Sequence, residues 1–198
     1  MITVHPVRIK GAWAKGFSLD QCSDCLKRTV LDPVYDFKNN PLIKIILEMK
    51  NGSGLEHLNE LTETVSHFIR LEWNINELDW ILPVPPARER PFQLVNELVR
   101  EVAERLPLSF ACDIIKKVKD GPEIKSLSNR TEKKYYLKDT FALDSSRMRS
   151  KNILLIDDVL RTKETLNYLT RMFYQGGIKK VNVLTLICIT DKTGEQDV

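Results

Sequence analysis

No apolar run in this 198-residue chain approaches the roughly 20 residues that a bilayer-spanning helix needs. The start, Met1-Ile2-Thr3-Val4-His5-Pro6, lacks the charged segment and apolar stretch of a secretory leader. A soluble, cytoplasmic protein without a membrane partner is the expectation. Cysteine is scarce: four residues, at 22, 25, 112 and 188, are too few and too scattered for a secreted disulfide framework. The three histidines, His5, His57 and His67, have no spacing that pairs them with each other or with a nucleophile. Internal repeats are absent, and the polar stretch 191–198 is the one tail-like segment.

At 42% hydrophobic and 29% charged, a chain of this length can bury one sizeable core and is too short for two full domains. Its net charge of +3 says little, but the distribution is uneven. Between positions 116 and 134 seven Lys/Arg stand against three Asp/Glu, so this stretch alone carries more positive charge than the whole chain. A negatively charged ligand is the natural occupant, and a solvated basic loop is the plain alternative.

Positions 4–36 show short alternating runs without a helical period, which predicts short strands and loops. Leu42, Ile45, Ile46 and Met49 fall at helical spacing and stop at Asn51-Gly52-Ser53-Gly54, and Leu58, Leu61, Val65, Phe68 and Ile69 form a second stripe. Trp80-Ile81-Leu82-Pro83-Val84-Pro85-Pro86 reads as a strand whose prolines lead into a loop holding Arg88 and Arg90. Val95, Leu98, Val99, Val102 and Leu106 predict a helix, 110–115 a short apolar strand, and 153–156 a strand covered on both faces. Leu166, Leu169, Met172 and Phe173 predict a helix closing at Gly176-Gly177, before a strand over 181–189. This alternation implies βαβ units and a mostly parallel sheet.

Asp157 and Asp158 follow the most apolar strand, and open α/β sheets bind ligands outside the carboxyl ends of their strands. Two neighbouring carboxylates can accept from vicinal hydroxyls or hold a hard cation such as Mg²⁺. Taken singly, each is also an ordinary turn former or helix cap. Thr162 is placed to act as an N-cap, with Thr165 three residues on, and the new helix would offer its amides to an anion, most naturally a phosphate. Cys22-Ser23-Asp24-Cys25 has the spacing of half a zinc site, but no second pair completes it, and two unrelated thiols are the simpler reading.

The segment from Ile153 to Thr165 resembles the 5-phosphoribosyl 1-diphosphate motif of type I phosphoribosyltransferases, four apolar residues followed by Asp-Asp-x-x-Thr-Thr-Gly-x-Thr. By this resemblance Asp157 and Asp158 hold the ribose hydroxyls, while Arg161, Thr162, Lys163, Glu164 and Thr165 form the phosphate loop. Arg161 stands at a usual Thr, as in some ComF-like relatives. Lys163 replaces the usual Gly, where a Cβ would cost roughly 1 to 2 kcal/mol if the turn were left-handed; its ammonium could instead reach the phosphate.

Pro83-Val84-Pro85-Pro86-Ala87-Arg88-Glu89-Arg90 similarly resembles the Pro-Val-Pro loop of ComF-like members, which implies a diphosphate-binding role for Arg88 and Arg90. The basic stretch with Glu123, Leu127 and Arg130 is similar to the family's flexible segment. It implies a lid in which Lys117, Lys119 and Arg130 face the anion. ComF-like proteins often carry a four-cysteine ribbon, of which Cys22 and Cys25 would be a remnant.

The resemblance implies an α/β type I phosphoribosyltransferase fold: a mostly parallel central sheet flanked by helices, with residues 1–78 as an N-terminal hood, 79–190 as the core and 191–198 as a polar tail. The implied reaction transfers ribose 5-phosphate between Mg²⁺-bound 5-phosphoribosyl 1-diphosphate and a nitrogenous base, with diphosphate released. Two other readings stay open. One is a non-catalytic nucleotide or activated-ribose sensor acting on a partner protein or as a homodimer; the other is a nucleic-acid-associated effector of DNA uptake or phage defence.

Overall fold

The computed structural model describes residues 1–23, 40–118, 137 and 140–190. Its main sheet has six strands: β1 (Val7–Arg8), β2 (Lys15–Ser23), β3 (Trp80–Pro83), β4 (Ser109–Phe110), β7 (Asn152–Leu160) and β8 (Lys180–Thr190). Their order is β1-β2-β8-β7-β3-β4. All neighbours pair in parallel except β1, which lies antiparallel on the edge beside β2. A separate antiparallel pair joins β5 (Ile115–Lys117) to β6 (Phe141–Leu143). This is a mixed α/β fold with a mostly parallel central sheet flanked by helices.

Burial explains the apolar run at the centre. Ile153, Leu154, Leu155 and Ile156 of β7 are all 0% exposed, so no polar residue could be tolerated there without a partner. Alternation along the strand divides them between two cores. Leu154 and Ile156 pack with α1 (Pro41–Lys50), α2 (Leu58–Glu72) and α3 (Leu94–Arg105). Ile153 and Leu155 pack with α4 (Glu164–Gln175) and with Ile115 and Phe141 of the small pair.

The helices begin and end where local chemistry directs. Asn40 caps α1 by accepting from the Ile43 amide at 3.1 Å, and Pro41 opens the helix where its missing N–H is harmless. The chain leaves α1 through Gly52, whose φ of 83° suits glycine. Gly177, at φ 84°, similarly turns the chain out of α4 into β8.

Two sequence expectations change. Within 4–36, β2 is a nine-residue strand that pairs with β8 from Lys15↔Asn182 to Ser23↔Thr190, so this early segment belongs to the central sheet. Phe17 ties it to α2 through edge-on ring contacts with Phe68 at 5.5 Å and to Trp73, just past the helix end, at 5.6 Å. The single strand expected over 110–115 is instead two pieces, β4 and β5, in different sheets. Asp113 explains the break, because its exposed carboxylate meets Arg147 at 2.9 Å and does not fit a covered strand.

Candidate functional site

The site forms where β3 leaves β7. Their last paired residues are Pro83 and Ile156, and the Val84 amide still donates to the Ile156 carbonyl at 2.8 Å. The loop carrying Arg88 and Arg90 therefore departs beside Asp157. β7 itself runs past the acidic pair to Leu160, supported on its other side by β8. Asp157 and Asp158 lie on a long strand with one flank opened, rather than in the turn that follows it.

Because the strand continues, the two carboxylates alternate sides. Asp158 follows Leu154 and Ile156 toward the α1 face, where it forms a tight ion pair with Lys50, the last residue of α1. Both partners are about three-quarters buried, at 23% and 22% side-chain exposure. Asp157 follows Ile153 and Leu155 toward the α4 side, in register with Thr185 of β8. Burial, reinforced by the negative charge of Asp158, pushes its carboxyl up to about 7. The Asp158 amide, donating to Asp157 Oδ1 at 2.9 Å, and the more distant Lys50 ammonium offset part of that rise. Asp157 is thus poised to gain or lose a proton near neutrality, beside the Lys50–Asp158 ion pair.

The turn 161–163 leads into α4, and its residues are half-buried. The expected cap at Thr162 moves one residue on: Lys163 is the N-cap, and its carbonyl receives the Asn167 amide at 2.8 Å. The Lys163 side chain makes no capping hydrogen bond to the first turn, and the start of α4 faces the turn beside Thr165. Lys163 sits at φ −77°, ψ −3° in the right-handed region. The strain expected from lysine at the usual glycine position is therefore absent, because this turn needs no positive φ.

The arginine loop is tied to its surroundings at two points. Arg90 Nη1 donates to the Lys50 carbonyl at 2.9 Å, closing the C-terminal end of α1, and Lys117 Nζ donates to the Ala87 carbonyl at 3.1 Å. Arg88 is exposed on the same loop, and its own carbonyl accepts from Gln93 Nε2 at 3.3 Å. The acidic pair, the loop and Lys117 therefore gather at one end of the sheet. Lys119 and Arg130 lie outside the described residues.

Sequence reasoning missed Lys50 and Thr185. A lysine in the last turn of a helix is ordinary, and nothing local to it indicates a carboxylate on a distant strand. Thr185 is fully buried beside Asp157, and its hydroxyl has no hydrogen-bond partner among the described residues. The signal for it was present as a threonine within the apolar run of β8.

Among the described residues no group of three or more His, Cys, Asp or Glu side chains could hold a metal. Cys22 is disulfide-bonded rather than a free thiol, and Cys25 lies outside the described residues. The acidic pair fits a Mg²⁺ carried by phosphate oxygens, since that ion commonly takes one or two carboxylates and completes its shell from substrate and water. No helix of the described residues is long and apolar enough to cross a membrane.

No family model matches the sequence, and no curated protein matches it. Among solved structures, the chain is similar to a hypoxanthine phosphoribosyltransferase from Staphylococcus aureus, with a TM-score of 0.46 and 12% identity over 72% of this chain and 68% of that one. It is also similar to the L. donovani hypoxanthine-guanine phosphoribosyl transferase, with a TM-score of 0.40 and 15% identity over 66% and 69%. A mutant of the Trypanosoma cruzi hypoxanthine phosphoribosyltransferase, complexed with the product IMP, gives 0.39 and 15% over 72% and 66%. Likenesses this distant decide nothing about the chemistry of this chain.

Proposed function

We propose that this chain is a type I phosphoribosyltransferase of the ComF-like kind, using Mg²⁺-bound 5-phosphoribosyl 1-diphosphate and a nitrogenous base. The observation that carries the reading is the convergence of four features. The acidic pair lies on the central parallel strand, a helix start follows it, and the arginine loop and Lys117 gather beside it. Few ligands other than a phosphorylated ribose ask for hydroxyl acceptors and several anion-binding groups at once.

In this reading Asp158 accepts from a ribose hydroxyl. The first turn of α4, with Arg161, Thr162, Lys163, Glu164 and Thr165, receives the 5′-phosphate on its amides and hydroxyls. Arg88, Arg90 and Lys117 face the diphosphate. Mg²⁺, when bound, neutralises the diphosphate as it leaves. Asp157, whose charge the fold disfavours, has most to gain from a cation beside it.

The C1–O bond breaks with its electron pair leaving on the diphosphate, and the base nitrogen supplies the pair for the new N–C1 bond. Its surplus proton passes to water or to Asp157. The positive charge developing on the ribose is stabilised by the nearby carboxylates.

The test is calorimetric titration with 5-phosphoribosyl 1-diphosphate and Mg²⁺, followed by assay of diphosphate release with a panel of bases. Binding with base-dependent release supports the transferase. Binding without release under every base would make the chain a sensor on the same scaffold, and no binding would remove both readings.

A further inference from the structure

We propose that Lys50 is an additional anion-binding residue of this site: it neutralises Asp158 at rest and moves onto the phosphate oxygens of the ligand that displaces it. The inference rests on the phosphoribosyl reading for its ligand and on the Lys50–Asp158 pair for its mechanism.

Both side chains of the pair are largely withdrawn from water. Vicinal sugar hydroxyls that take both oxygens of Asp158 compete with the ammonium, which sits on Oδ2, and a largely buried ammonium left with a weakened partner is costly. A ligand bringing its own anion removes that cost by giving Lys50 a new partner. A ribose lacking phosphate does not. The pair thereby selects ligands that carry hydroxyls and phosphate together.

The geometry permits the exchange without moving the helix. The last turn of α1 is fixed by Arg90 Nη1 on the Lys50 carbonyl at 2.9 Å and by the Asn51 amide on the Leu47 and Glu48 carbonyls at 3.1 and 3.0 Å. Beyond this anchored backbone, the lysine has a flexible four-carbon stem with three donors. The residue that holds the backbone, Arg90, belongs to the loop assigned to the diphosphate. A lysine reaching from α1 therefore enters the same anion-binding group.

Two titrations test the role. Lys50→Met is expected to weaken 5-phosphoribosyl 1-diphosphate binding by about 10- to 100-fold, and Lys50→Arg to hold it within about 3-fold of wild type. An unchanged affinity in Lys50→Met would overturn the proposal in favour of a structural ion pair. Tighter binding would overturn it in favour of a lock that competes with the ligand.

The second titration uses inorganic diphosphate without Mg²⁺, so that the loss of a carboxylate removes no metal ligand, and does not depend on the transferase reading. Asp158→Asn, which releases the ammonium, should strengthen diphosphate binding by about 3-fold or more, and adding Lys50→Met should cancel the gain. No gain, or a gain that survives Lys50→Met, would contradict the role. If Lys50→Met fails to fold by circular dichroism, Lys50→Gln takes its place in both. Should the wild-type chain ignore 5-phosphoribosyl 1-diphosphate yet show the diphosphate cycle, the functional reading fails and the lysine's role stands.

Discussion

Asp157 on β7 lies in register with Thr185 on β8, a fully buried threonine, and its carboxyl is pushed up to about 7 by burial and by the charge of Asp158. Between the ordinary value of 3.8 and about 7, the folded chain keeps a proton that the unfolded chain has lost. This group's contribution to stability is therefore full below that window, declines as pH rises through it, and levels off above about 7. Asp157→Asn should remove the decline and be more stable than wild type at about pH 8 by about 1–3 kcal/mol. Urea unfolding of both proteins at about pH 5 and about pH 8, either side of most of that window, measures the difference. An equal pH dependence in the two would contradict the burial of this carboxyl.

Lys163 has right-handed backbone angles, so replacing it with glycine relieves no strain. Lys163→Gly is expected to lower affinity for 5-phosphoribosyl 1-diphosphate by about 2- to 5-fold, through loss of a positive charge beside the phosphate turn. A gain of about tenfold in the same titration would show that the side chain obstructs the loop.

Gly16, on β2, lies under the Trp13 ring, whose Nε1 donates to the Ile9 carbonyl at 3.1 Å. A methyl group there overlaps the indole. Gly16→Ala should cost about 1–3 kcal/mol, measured by denaturant unfolding near neutral pH with tryptophan fluorescence reporting the displaced ring. An unchanged midpoint would mean that this close packing contributes nothing to the sheet edge.

Leu155 is fully buried at the centre of β7, two residues before the acidic pair. Leu155→Ala should destabilise the fold by about 2–5 kcal/mol, because the packed neighbours cannot close the cavity fully. Thermal and urea melts of the purified variant check the value.

The central scaffold was legible because its residues obey local rules. The run 153–156 is apolar without interruption, the α1 stripe repeats at helical spacing, and Gly177 stands where α4 must end. The acidic pair was legible from its place after that run. What stayed hidden depends on contacts between distant segments. The parallel pairing of β2 with β8 and the arrival of Lys50 at Asp158 have no local signature, and the threonine in the apolar run of β8 does not by itself show that it lies beside Asp157. The conformation of Lys163 was hidden for another reason: the motif suggests a glycine-dependent turn, whereas β7 continues to Leu160 and the chain enters α4 through right-handed angles.

The most direct test of the account is calorimetric titration of 5-phosphoribosyl 1-diphosphate with Mg²⁺ into wild type and into the double variant Asp157→Asn with Asp158→Asn, each checked by circular dichroism. Wild type is expected to bind and the folded double variant to lose about 100-fold or more in affinity. Equal affinity in the two proteins, or no binding by the wild-type chain, would contradict it.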